Sequence, residues 1–163
     1  MGLDMYLEVR EYVKAFEYTE IENKFVRTPV EDGQAILRAV GLDAIASPEA
    51  YGVTVSATAI YWRKVNSIHQ WFVDNCGGGV DECQQMYVSR EKLTELRDLV
   101  EMVYNSKSEA VAKEYLPTAS GFFFGSTDYD EWYWSDLEYT LKELNRVLGT
   151  AGEYADFSYS ASW

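Results

Sequence analysis

The chain has 163 residues, 47% of them hydrophobic, which is enough for a buried core and too many for a disordered tail. Fourteen Lys and Arg stand against 27 Asp and Glu, a net charge of −13. Such a field repels nucleic-acid backbones and anionic membranes, both of which are bound through basic residues. No apolar run approaches the roughly 20 residues that span a bilayer. The opening MGLDMYLEVR has no apolar signal segment, and Tyr6 stands where a myristoylation signal needs Ser or Thr. The expectation is a cytoplasmic protein with no membrane and no direct nucleic-acid partner.

At the start, Leu3, Met5, Leu7 and Val9 alternate with Asp4, Glu8 and Arg10, which is strand period. Residues 16–26 read as a second strand region. Thr28-Pro29-Val30-Glu31 offers a capping-box pair with Pro at the first helical position. Ala35, Ile36, Ala39 and Val40 follow at helical spacing, and Gly41 is placed to stop them. Residues 51–59 alternate as a strand or extended loop. A helix is expected over 61–76, with Gly77 to Gly79 as its breaker.

Residues 82–88 are short and strand-like. Ser89 can cap a helix to about residue 104 with the stripe Leu93, Leu96, Val100 and Val103. Ser108 can cap a short helix ending before Pro117, and 122–124 reads as a buried strand or tight turn. Residues 130–148 give the clearest helix, with Leu137, Leu141, Leu144 and Leu148 in line and Gly149 at its end. The tail alternates Phe157, Tyr159, Ala161 and Trp163 with serines. Helices and strands mix without a regular βαβ rhythm. The fold class expected is α+β, a single compact domain over 1–163 with a small, mostly antiparallel sheet and four or five helices packed on it.

Winding residues 61–76 at about 100° per residue places His69, the only histidine, on an apolar arc between Cys76 and Trp62. His69 is then a hydrogen-bonded core residue, or it lines a pocket walled by the same face. Arg63, Asn66, Ser67, Gln70 and Asp74 fall on the opposite, solvated arc. Trp71 lies on the border beside Lys64, and an exposed Trp marks an interface. The glycines follow a helix C-terminus, where the dipole repels anions, so they read as a turn. Neither GxGxxG nor GxxxxGK(S/T) occurs, and no cofactor is expected. Cys76 and Cys83 read as small buried residues, and with one His they fall short of about four zinc ligands. No metal and no catalytic residue is assigned. The single His excludes a two-histidine mechanism, while the many acids leave carboxylate chemistry open.

From Asp128 to Glu138 there are five acids, no bases, two Trp and two Tyr. This is an acid-rich helix start that complements the helix dipole, or an acidic, aromatic patch that accepts Arg or Lys from a partner through ion pairs and cation–π contacts.

The stretches GLDMYL at 2–7, YWRKxNxIHxWFV at 61–73, VDEC at 80–83, LPTxSGFFFGS at 116–126 and YDEWYW at 129–134 resemble a family of short, uncharacterised proteins of bacteriophages, prophages and their bacterial hosts. The likeness covers mainly the start and residues 61–148. It brings no fold, cofactor or catalytic residue. It implies a context, a small acidic protein acting inside a bacterial cell.

Two functions follow. The first is a non-enzymatic inhibitor or sequestering protein that binds a basic host partner, such as a nucleic-acid-binding CRISPR or restriction component. Its surface would be Asp128, Asp130, Glu131, Trp132 and Trp71. The second is a small-ligand or nucleotide binder, or a hydrolase. Its pocket would take Arg63, Lys64, Asn66, His69 and Tyr129, together with Asp130.

Overall fold

The computed structural model describes residues 2–47 and 50–163 and has an α+β architecture with five helices and a mostly antiparallel sheet. Its contacts cluster into two compact units, residues 10–56 and the remainder.

β1 (Asp4–Lys14), β4 (Gly52–Arg63), β5 (Met86–Val88) and β6 (Asp156–Ser162) form a four-stranded sheet in the order β4-β1-β6-β5, of which the larger unit holds β5, β6, residues 4–9 of β1 and residues 57–63 of β4. The alternation at the start does what its period requires: Leu3, Met5 and Leu7 are fully buried while Asp4, Tyr6 and Glu8 are half-buried. β6 runs antiparallel to β5, with Met86 opposite Tyr159 and Val88 opposite Phe157. As an interior strand, β6 buries Ser158 as well as Phe157, Tyr159 and Ala161, while Ser160 is half-buried and Ser162 exposed. Gln85 Nε2 donates to the Ser158 hydroxyl at 3.0 Å.

The helices α3 (Arg90–Ser106) and α5 (Glu131–Thr150) pack on each other, with α4 (Glu109–Tyr115) beside α3. Ser89 and Ser108 cap α3 and α4, accepting from the amides of Lys92 and Val111. The expected stripe of α3 is buried throughout. In α5 the buried line is Tyr133, Leu137, Thr140, Leu144 and Val147. Leu141 and Leu148 are only half-buried, because the helix presents its i, i+3, i+4 face rather than a single row of leucines. Gly149 lies inside α5 instead of ending it. Arg90 takes up the carbonyls beyond, donating to Ala151 and Gly152.

The expected helix over 61–76 is corrected. Tyr61, Trp62 and Arg63 end β4 with alternating exposure, Lys64 turns the chain at φ +60°, and α2 (Asn66–Cys76) begins only after Val65. Seven residues of α2 are buried: Asn66, Ser67, Ile68, His69, Trp71, Phe72 and Val73. The solvated side of α2 is narrower than expected: Gln70 is half-buried and Asp74 and Asn75 are exposed, while Asn66 and Ser67 lie inside. Trp71, expected at an interface, is 9% exposed and packs edge-on against Phe72. Residues 122–124 take the tight-turn alternative, with the Phe124 amide donating to the Gly121 carbonyl at 3.2 Å and Phe122 96% exposed. The cysteines are not both buried: Cys83 is exposed in a left-handed turn position and Cys76 is half-buried.

In the smaller unit, residues 16–29 form a hairpin of β2 (Phe16–Ile21) and β3 (Lys24–Pro29). Glu22 and Asn23 both have positive φ, the requirement of a tight two-residue hairpin turn. Thr28 and Pro29 belong to β3, and Thr28 hydrogen-bonds Thr19 across the strands at 2.6 Å. The cross-strand pairing therefore displaces the expected capping box, and α1 (Glu31–Ala39) starts from Val30 with no side-chain cap. Gly33 is required by close approach, since a Cβ there would lie 2.2 Å from the Lys14 carbonyl.

Candidate ligand cleft

Two stretches distant in sequence, 63–67 and 118–136, meet around one cleft of about 340 Å³ in the larger unit. Arg63 to Ser67 form one wall at the start of α2. Thr118, Gly125 and Ser126 come from the loop before α5, with Asp128 beyond them. Asp130, Trp132, Tyr133 and Asp136 come from the first turns of α5.

Asn66 holds the two walls together. It is 4% exposed, and its amide nitrogen donates to the carbonyls of Phe124 and Ser126 at 3.0 and 2.8 Å. Its side-chain oxygen accepts from the Ala119 amide at 3.0 Å. The loop is further tied by Thr118, whose hydroxyl donates to the Thr127 carbonyl and whose amide donates to the Tyr129 hydroxyl. Gly125 has φ +90°, and a Cβ on it would stand 3.2 Å from Lys64 Cβ. Leu3 accepts from the Lys64 amide at 2.8 Å and donates to the Phe123 carbonyl at 3.0 Å, which ties the opening of β1 to the same place.

The charged residues divide by wall. Arg63 approaches Asp4 at 3.8 Å, while Lys64 has no carboxylate at ion-pair distance among the described residues. Opposite them, Asp130 caps α5 by accepting from the amides of Trp132 and Tyr133. The Asp128 carboxylate accepts from the Ser126 hydroxyl at 3.1 Å. Asp136 makes no side-chain hydrogen bond among the described residues. Burial, with the nearby Asp130 charge, pushes its carboxyl up to about 6. Trp132 stands on the rim, 77% exposed. Tyr133 forms part of the floor. Its hydroxyl donates to the Leu116 carbonyl, and burial raises its pKa well above the ordinary value.

The expected site residues separate accordingly. Arg63, Lys64 and Asn66 from one set, and Asp128, Asp130 and Trp132 from the other, share this single cleft. Glu131 is exposed but lies outside the lining, and Trp71 is in the core. Tyr129 sits behind the loop, its ring 4.9 Å from that of Tyr133. His69 is 0% exposed and does not line the cleft. Its Nε2–H faces the Asp81 carboxylate at 3.0 Å, and in the neutral ring Nδ1 accepts from the Tyr159 hydroxyl at 2.7 Å. That chain joins α2 to β6 and to the turn after the glycines, so the histidine's geometry is that of a structural residue.

Ser67, Thr118, Ser126 and Asp136 line the cleft without having been singled out from sequence. Ser67 was hidden by the late start of α2, and Asp136 by the exposed acids around it. Among the described residues no group of His, Cys, Asp and Glu is arranged to hold a metal ion, and no helix is long and apolar enough to cross a membrane. In three comparisons with known proteins, no family model, no curated protein and no solved structure matches the chain.

Proposed function

We propose that this is a ligand-binding protein whose working surface is the cleft between the start of α2 and the start of α5, taking a small polar molecule of metabolite or nucleotide size. The observation that carries the reading is the convergence of Arg63, Lys64, Asp130, Asp136 and Trp132 on one concavity of about 340 Å³, within the range of small-molecule sites. Both charge signs, hydroxyls and a rim aromatic converge there on a floor stapled by Asn66. A thermal-shift screen of polar metabolites tests it. A true ligand raises the melting temperature in a concentration-dependent way, and Trp132→Ala reduces the rise. A screen in which nothing stabilises the folded protein goes against it.

A second reading keeps the context of the phage-type resemblance: an inhibitor of a basic component of bacterial host defence. Exposed Trp132 beside Asp130 and Glu131 supports it, as does the charge of the larger unit, nine Lys and Arg against 19 Asp and Glu. It ranks second because Trp71 is buried, which removes one of its two aromatic anchors. In this reading Asp130→Asn with Glu131→Gln slows association with the basic partner and flattens its salt dependence. Trp132→Ala speeds dissociation. Unchanged rates in folded variants would remove the surface.

A further inference from the structure

We propose that the α2 end of the cleft is a phosphate subsite, holding the phosphate of a phosphomonoester whose other end carries an amino group that reaches Asp130 and Asp136. The proposal rests on the ligand-binding reading and names the chemistry of the ligand.

Three features of the α2 end point to an anion. The helix begins after Val65, which provides no side-chain cap, and its first turn contains no acid. The amides of Asn66 and Ser67 therefore have no acceptor within the helix, and the dipole adds positive potential at that point. Ser67 is 3% exposed, lines the cleft and makes no hydrogen bond to any described residue. Among the described residues no fully enclosed side-chain oxygen or nitrogen lacks a partner, so this unpaired hydroxyl opens into the cleft. A buried hydroxyl held without a partner at a helix start is a donor waiting for an acceptor. Lys64 completes the set, an ammonium with no ion-pair partner among the described residues, on the residue that turns β4 into α2.

The opposite wall decides the rest of the ligand. Asp130 and Asp136 would repel a bare anion, and they accept hydrogen bonds from an amino group placed across the cleft from the phosphate. Trp132 on the rim supplies a flat apolar face between the two ends. An aminated nucleoside monophosphate and an amino-sugar phosphate both meet these terms.

The test is calorimetric titration of the full chain with adenosine and guanosine 5′-monophosphates, glucosamine 6-phosphate, their dephosphorylated parents and inorganic phosphate. One phosphomonoester is expected to bind about 10-fold or more tighter than its parent, as a charge-assisted contact provides. Which one does so separates the nucleotide from the sugar source. Ser67→Ala and Lys64→Gln should each erase most of that ratio and leave the parent's affinity unchanged. Ser67→Ala carries the test if Lys64→Gln, at a positive-φ position, does not fold. If parent and phosphomonoester bind equally, or the ratio survives both substitutions, the phosphate subsite is overturned while the cleft reading stands. If none of these probes binds the folded protein while the metabolite screen yields another cleft ligand, the subsite alone is overturned. If that screen is empty as well, both fall.

Discussion

Asn66 and Asp136 show how single side chains shape the cleft in opposite ways. Asn66 uses both of its side-chain N–H donors and its oxygen inside the protein, with three bonds that fix the loop 119–126 against α2. Asn66→Ala leaves two carbonyls and an amide without these part-buried bonds, at about 1 kcal/mol each. Urea unfolding should show a loss of about 2–4 kcal/mol, with ligand affinity falling as the loop loosens. Asp136 has the reverse sign. Its folded carboxyl titrates near 6 against an ordinary 3.8, so the unfolded chain releases that proton more readily. The ionised group therefore costs stability above pH 6, and the cost fades as the pH falls from 6 to 3.8. Asp136→Asn should stabilise the unliganded protein by about 1–2 kcal/mol at pH 8, after discounting for solvent screening. At pH 3.5 the gain should vanish. Equal stability of variant and wild type at both pH values would mean the carboxylate is better solvated than its place in the cleft implies.

Among the elements, α3 and β1 were legible in the sequence because each buries one face more deeply than the other, so period and burial coincide. The Ser89 and Ser108 caps were legible for a local reason, since a hydroxyl at that position satisfies orphan amides whatever surrounds it. The β4–α2 junction was not. An apolar run that leaves a strand and enters a mostly buried helix has no single period, and winding it as one helix put exposed Tyr61 on the apolar arc and buried Asn66 and Ser67 on the solvated one. Phe72 survived that error because it lies deep in α2 whichever residue starts the helix. It is fully buried, and its ring stacks on Tyr159 with centroids 4.0 Å apart. Phe72→Ala should cost about 3–5 kcal/mol in thermal or urea unfolding. A loss under about 1 kcal/mol would contradict the packing of α2 against β6.

Taken over the whole molecule, the α+β class followed from the mixture of periods, whereas the site did not follow from any one segment. The motifs at 61–73, 116–126 and 129–134 contain most of the lining, but their meeting depends on Asn66 reaching carbonyls near 60 positions away. No local pattern encodes that contact. The charge was equally ambiguous from sequence. A net −13 spread over a surface describes solubility, while three acids lining one cleft with Lys64 and Ser67, both without side-chain partners among the described residues, describe a polarised cleft. The most direct test is a two-dimensional ¹H–¹⁵N NMR titration of the uniformly labelled full chain with whichever probe calorimetry ranks tightest. The predicted result is saturable shifts at the Ser67 and Ser126 amides and the Trp132 indole N–H, with Tyr18 and Tyr51 of the smaller unit unmoved. Shifts that fail to saturate, or that fall in the smaller unit while the cleft signals stay still, would contradict the cleft as the working surface.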